Sequence, residues 1–152
     1  MFSLGLLVYT NFQSQYQRIG STELEFIPPI NFQKDGNIDM VSYSESNLGI
    51  SFSFLVINSS SKKALDFSEN TITSKGSKFF EKYQLSCAVE KTDLFLMGNE
   101  FMPGYSTEEL IAMFHDGRNM VVLNCFFHKR ENFEKVKDNL INSFSSIRLI
   151  QK

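Results

Sequence analysis

EELIAMFHDGRNMVVLNCFF, Glu108–Phe127, holds two apolar runs joined by Asp116-Gly117. An Asp-Gly pair between such runs is among the strongest short signals for a β-hairpin. Glycine supplies the positive φ that a tight turn needs, and aspartate tolerates it. The residues Met113–Arg130 also gather both histidines of the chain, one of its two cysteines, an aspartate and two arginines. An active site and a hairpin are therefore the competing accounts, and the turn chemistry favours the hairpin. His115 and Arg118 then flank the turn tip and face water. A catalytic His115 would need an acid to orient it and a nucleophile in front of it. Asp116 cannot easily serve, because sequence neighbours in a turn rarely point at each other.

Outward from this hairpin, residues 78–127 divide into four strands. FFEKYQLSCAVE and DLFLMGNEFM come first, PGYST turns the chain, EELIAMF follows, HDGR turns it again, and NMVVLNCFF ends the set. Strands at this spacing predict an antiparallel meander. Upstream, Gly49–Ile57 (GISFSFLVI) alternates Ile50, Phe52, Phe54 and Val56 against Ser51, Ser53, Leu55 and Ile57. The alternation is clean at first and then apolar on both sides, as in a strand entering the middle of a sheet. Leu24 and Phe26 alternate with acids, a half-buried strand that Pro28-Pro29 must end. Residues 33–48 are polar and read as a loop with one weak strand near 39–43. NSSSKK breaks the structure after residue 57.

Two helices are expected. The first, 69–75, has Ser68 as N-cap, Glu69 in its first turn and Gly76 as its stop, with β-branched Thr71, Ile72 and Thr73 weakening it. The second is the clearest pattern in the chain. Phe133, Val136, Lys137, Leu140, Ile141 and Phe144 recur at helical spacing and predict an amphipathic helix over 131–144, with Lys137 at the edge and its stem buried. Ile147–Leu149 can pair as a final short strand. There is no internal repeat.

At 152 residues the chain is one domain by default and long enough to bury a core without a metal or disulfide scaffold. Sixteen Phe and five Tyr, with no Trp, point to a Phe-rich core containing β-structure. Net charge is −2, with lysines and acids interspersed, so no basic stripe marks nucleic acid as a partner. The apolar start Met1–Tyr9 is far too short to span a membrane, for which ~20 residues are needed. It resembles the end of a signal-peptide apolar region followed by a polar cleavage zone, although no Lys or Arg precedes it and Phe12 fits the small-residue rule badly. Residues 1–14 are accordingly expected to be a signal-peptide remnant, and 15–152 a single domain that is periplasmic or secreted. A cytoplasmic chain, with Met1–Tyr9 as a strand on the core, is the alternative.

Chemistry-bearing residues do not assemble into a site. Cys125 shares a strand face with Val121, Leu123 and Phe127, and Cys87 with Leu85 and Val89, so both read as buried small hydrophobes rather than exposed thiolates. Cys125 and His128 tend to opposite faces. If the four strands form a meander, three spacings of ~4.8 Å separate Cys87 from Cys125 by roughly 14 Å. A disulfide needs Cα atoms within about 7 Å, so free thiols are expected. Two histidines without a spaced Cys or carboxylate pattern give no metal site. The acid pairs Glu23/Glu25 and Glu108/Glu109 are explained by solvent-facing strand positions, since nothing places them across a cleft. No catalytic, cofactor-binding or metal-ligating residue is assigned, and no cofactor is implied.

Three short motifs nevertheless stand in a familiar order: LEFIPPINF (Leu24–Phe32), FSENTITSKG (Phe67–Gly76) and NSFSSI (Asn142–Ile147). In their order and spacing the chain resembles the PsbP-like fold, shared with Ran-binding Mog-type proteins, and more closely uncharacterised exported proteins of Bacteroidetes type. The end of the leader, NFQSQ, is similar to leaders of that group. The resemblance covers about residues 22–149. It implies an α+β domain, an α/β/α sandwich in which helices flank a central antiparallel sheet of about six or seven strands. It also implies a binding or assembly role without enzymatic activity. No acidic Ran-contact surface or manganese-cluster accessory segment is recognisable, so neither specific role follows.

The function expected first is a non-catalytic exported accessory or interaction domain of the cell envelope, with another protein as partner. An exposed apolar patch would support it. The second is a small-ligand or lipid binder with an apolar pocket between the sheet and helix 131–144, suggested by Phe79, Phe80, Phe95, Phe126, Phe127, Phe133 and Phe144. A core simply made of phenylalanine accounts for the same residues. A thiol- or His-dependent hydrolase is the third, and lacks the nucleophile–base geometry it requires.

Overall fold

The computed structural model describes residues 15–36, 40–58, 69–74, 76–89, 92–102 and 105–151. Its strands are β1 (Gln17–Arg18), β2 (Leu24–Phe26), β3 (Gln33–Gly36), β4 (Met40–Glu45), β5 (Ile50–Asn58), β6 (Lys78–Leu85), β7 (Thr92–Met102), β8 (Tyr105–His115), β9 (Asn119–Phe127) and β10 (Arg148–Leu149). Helix α1 is Glu69–Ser74 and α2 is Arg130–Ser145. Seven strands form one sheet in the order β3-β4-β5-β9-β8-β7-β6, every neighbouring pair antiparallel. The expected meander is its β6–β9 half. β5 pairs with both β4 and β9, so it is the interior strand its two-sided apolar pattern predicted.

Two expectations are corrected. Residues 33–48 are not a loop with one weak strand near 39–43: they hold β3 and β4, paired from Gln33↔Ser44 to Gly36↔Val41. These strands are polar because β3 (QKDG) is an exposed edge and only Val41 and Tyr43 of β4 turn to the core. The second correction concerns Leu24–Phe26 and Arg148–Leu149. Both pair as anticipated, but in a separate three-stranded sheet, β1-β2-β10. Pro28-Pro29 stops β2 after three residues, and hydrogen bonds at its two ends, to Asp116 and to Ser143 and Ser146, tie the small sheet to the rest.

The core lies between the inner face of the large sheet, α2 and the small sheet. Alternate residues of β5 and β9, among them Phe52, Phe54, Leu123 and Cys125, face it. Phe26 of the small sheet sets its ring edge-on to Tyr43, Phe52 and Phe54, at centroid distances of 5.4, 6.2 and 4.9 Å. Helix α2 contributes Phe133, Leu140 and Phe144, all fully buried, as its spacing predicted. Phe133 stacks on Phe127 at 4.9 Å, and Phe144 meets Phe52 edge-on at 5.1 Å. Ser143 is buried as well, because its Oγ donates to the Ile27 carbonyl (2.6 Å). The Ile27 N–H in turn donates to Ser146 Oγ (2.7 Å), so the end of α2 holds both backbone groups of the residue before the two prolines. Lys137 takes its edge position, paired with Glu134 at 3.1 Å and lying over the Tyr83 ring.

On the opposite, outer face, α1 seats Ile72 on Phe95 and Met97, with Phe79 and Ile111 at the margin. Its stop at Gly76 has φ +82, as the glycine predicted. Helices thus flank both faces of the sheet. The expected leader through residue 14, the Ser68 cap and the Pro103-Gly104 turn lie outside the described residues.

Candidate functional site

The hairpin tip is real, but its chemistry differs from the expectation in two ways. Gly117 and Arg118 form the tip between Asp116 and Asn119, and Gly117 alone has positive φ, +101. Asp116 is not a turn residue with a tolerated backbone but an acceptor. Its carboxylate takes N–H bonds from Arg118 (2.8 Å), Asn119 (2.6 Å) and, from the small sheet, Glu23 (2.9 Å). Burial would raise this carboxyl, but the hydrogen bonds outweigh it and hold the group below its ordinary 3.8. His115 is the second difference. It does not face water but is 5% exposed, and its Nδ1 accepts the Gly117 N–H at 2.9 Å. The last strand pair, His115↔Met120, draws it onto the sheet. Arg118 is exposed, as expected.

The remaining candidates are dispersed. His128 is exposed between β9 and α2. Cys125 is fully buried on β9, where desolvation pushes its thiol far up. Cys87 lies past the end of β6, half-buried rather than buried, with its Sγ bonded to the Phe144 carbonyl at 3.3 Å. Neither cysteine forms a disulfide. A thiol reagent on the native protein is therefore expected to modify Cys87 slowly and Cys125 only at the rate of unfolding. Equal rates for the two, followed by mass spectrometry, would contradict these placements.

The acids are committed to separate partners. Glu108 binds Arg130 through two hydrogen bonds (2.6 and 2.8 Å), and Glu25 pairs with Arg148 at 3.3 Å. Glu109, on the outer face, has its carboxyl raised by burial, partly offset by the Asn99 amide that donates to it at 2.8 Å. No group of three His, Cys, Asp or Glu side chains among the described residues could hold a metal ion. The expected apolar pocket between the sheet and helix 131–144 is also corrected. Phe127, Phe133 and Phe144 fill that space with packed rings, Phe79 and Phe95 belong to the cluster under α1, and Phe80 and Phe126 are exposed.

Two surface features remain. One is the outer face of β4, β5 and β9. Met40 lies directly across from Leu55, and Leu55 from Val122. Two rows along, Ser44, Ser51 and Phe126 line up with Glu109. Met40, Leu55 and Phe126 are 47, 41 and 45% exposed. Among the described residues no helix covers this half of the sheet, because α1 sits over the β6–β8 half. The departure from alternation at Leu55 and the Phe126-Phe127 doublet carry the sequence signal of this patch, and the first of these equally fits an interior strand. The other feature is a cleft of about 590 Å³ where the β2–β3 loop and the β4–β5 turn meet α2. Its residues come from three separate stretches, 30–33, 44–48 and the helix positions Val136 and Asn139, so only tertiary structure reveals it.

No family model matches the chain, and no curated protein matches it. Solved structures do. The cyanobacterial PsbP (CyanoP) of Synechocystis sp. superposes with a TM-score of 0.54 at 8% identity, covering 90% of this chain and 93% of that one. A point mutant of the protein Mog1 gives 0.55 at 11% identity, covering 90% and 97%. The Ran-binding protein Mog1p of Saccharomyces cerevisiae gives 0.54 at 10%, covering 90% and 96%. The chain thus has the PsbP/Mog-like α+β fold that its three motifs suggested.

Proposed function

We propose that this PsbP/Mog-like domain is a non-catalytic interaction or accessory module of the cell envelope, and that it holds a protein partner on the outer face of β4, β5 and β9. The observation that carries the proposal is the exposure of Met40, Leu55 and Phe126 on one face of three adjacent strands. Serines 42, 44, 51 and 53 stand between them, and Glu109 is the ionisable group aligned with Phe126. Large apolar anchors in surroundings poor in charge are the composition of an interface core. The solved structures of this fold include one described as Ran-binding, which accords with a binding role. Among the described residues no helix is long and apolar enough to cross a membrane.

A photo-crosslinking side chain placed at position 126 in the native host is expected to give one discrete protein adduct, while the same group at exposed Lys135 gives none. Leu55→Ser with Phe126→Ser should abolish the interaction and leave the melting temperature within a few degrees, since both side chains are exposed. Identical adducts from positions 126 and 135 would overturn the proposal. The envelope location has its own test. The intact mass of the protein from its native locus, taken by cell fraction, should lack roughly the first 14 residues in the envelope or medium. A full-length mass in the cytosol would sink the export reading.

A further inference from the structure

The cleft between the β2–β3 loop, the β4–β5 turn and α2 has a chemistry of its own, independent of the outer face. Both of its walls are tied to the same helix. Asn139 of α2 accepts the Ile30 N–H (3.1 Å) and donates to the Ile30 carbonyl (3.0 Å), so one side chain satisfies both backbone groups of that loop residue. Asn31, next in the chain, is held at φ +70, the one non-glycine residue with positive φ among those described. On the other wall Asn132 donates to the Leu48 carbonyl (3.2 Å), and Glu45 Oε2 accepts the Leu48 N–H (2.7 Å). The cleft is therefore preformed, and little ordering cost opposes a ligand that enters it.

Its lining selects a chemical class. Asn31 and Asn47 bring side-chain amides, Ser46 brings a hydroxyl, and Glu45 brings a carboxylate, whereas Gln33 and Ser44 border the cleft from strand positions that point to the outer face. No lysine or arginine lines the cleft, so a phosphate or carboxylate would find no countercharge and would meet Glu45 instead. A fatty chain would strand the amides and hydroxyls without partners on desolvation. Amides and hydroxyls each donate and accept, and so does a sugar hydroxyl. Phe32, Leu48 and Val136 supply the apolar surface against which the C–H face of a sugar ring can lie. A volume of about 590 Å³ falls within the range of small-molecule sites, roughly 300–1,000 Å³.

We infer that this cleft is a binding site for a neutral, hydroxyl-rich ligand, a short saccharide. The test is a titration of the ¹⁵N-labelled full chain with neutral disaccharides (maltose, cellobiose and N,N′-diacetylchitobiose), followed by amide chemical shifts. At least one should give saturable shifts centred on Asn31, Ser46, Asn47 and Leu48. Asn47→Ala, in an exposed turn, should weaken binding about five- to tenfold, the loss expected for one good hydrogen bond. Glycerol, inorganic phosphate and a blocked neutral tripeptide serve as comparators. No saturable shift with any disaccharide would overturn the inference, as would shifts of equal size with a comparator, or an unchanged affinity in Asn47→Ala. Because Leu55 and Phe126 lie outside the cleft, Leu55→Ser with Phe126→Ser should bind the disaccharide as the wild type does. Failure of the outer-face proposal is thereby distinguishable from failure of this one.

Discussion

Phe52→Ala is expected to destabilise the domain by about 3–5 kcal/mol, the usual cost of truncating a fully buried aromatic ring. Phe52 is 1% exposed and lies at the crossing of all three core layers. Its ring meets Phe26 of the small sheet at 6.2 Å, Tyr43 and Phe54 of the large sheet at 5.2 and 5.8 Å, and Phe144 of α2 at 5.1 Å. The cavity cannot close by the shift of one element, because each layer is anchored elsewhere: α2 by Phe133 on Phe127, and the small sheet by Ser143, Ser146 and Asp116. A domain of this size has a total stability of about 5–15 kcal/mol, so the variant should be marginal at room temperature. Urea unfolding should show the midpoint falling at an unchanged slope. Phe126→Ala, on the exposed face, should move the midpoint little, and a similar loss for both variants would refute the placement of the core.

Asp116→Ala is expected to lower stability by about 1–3 kcal/mol, because three backbone donors lose a charged acceptor together. Two of them close the hairpin tip, and the third, from Glu23, fastens the small sheet to it across 93 positions of sequence. Asp116→Asn keeps an acceptor without the charge and should fall between alanine and wild type. The sign of the pH dependence follows from the lowered carboxyl. Its stabilisation is complete above the ordinary value of 3.8 and is lost as pH falls through the lower folded value. The difference in unfolding free energy between wild type and Asp116→Ala should therefore shrink in acid. A difference that stays constant from neutral to strongly acidic solution would show that the carboxylate charge contributes nothing to the clasp.

The opening hairpin shows how far residue patterns reach. Asp-Gly between apolar runs located the turn to within a residue. It did not show which residues form the tip, because Asp116 closes the turn twice, with its backbone N–H to the Asn119 carbonyl (3.1 Å) and with its carboxylate to the N–H groups of Arg118 and Asn119. The burial of His115 was invisible for a related reason. A histidine beside a turn is exposed by default, and only its register opposite Met120 draws it onto the sheet. The alternation of Leu85, Cys87 and Val89 predicts a strand residue on an apolar face. β6 ends at Leu85, so Cys87 lies beside the end of α2 instead.

What the residues determined by themselves is periodic or covalent in origin. The 3.6-residue spacing from Phe133 to Phe144 suffices for α2, since an apolar stripe of that kind can be buried in only one way. The two-residue alternation of Ile50 to Phe54 suffices for β5, Pro28-Pro29 for the end of β2, and Gly76 for the end of α1. Tertiary structure alone decided the rest: that β2 and β10 form a sheet of their own, that Leu55 and Phe126 are exposed, and that Asn31, Glu45 and Asn47 meet around one cleft. None of these is a local energy minimum. Each depends on which distant face competes for the same apolar or hydrogen-bonding group, and that competition is settled only when the whole chain has packed.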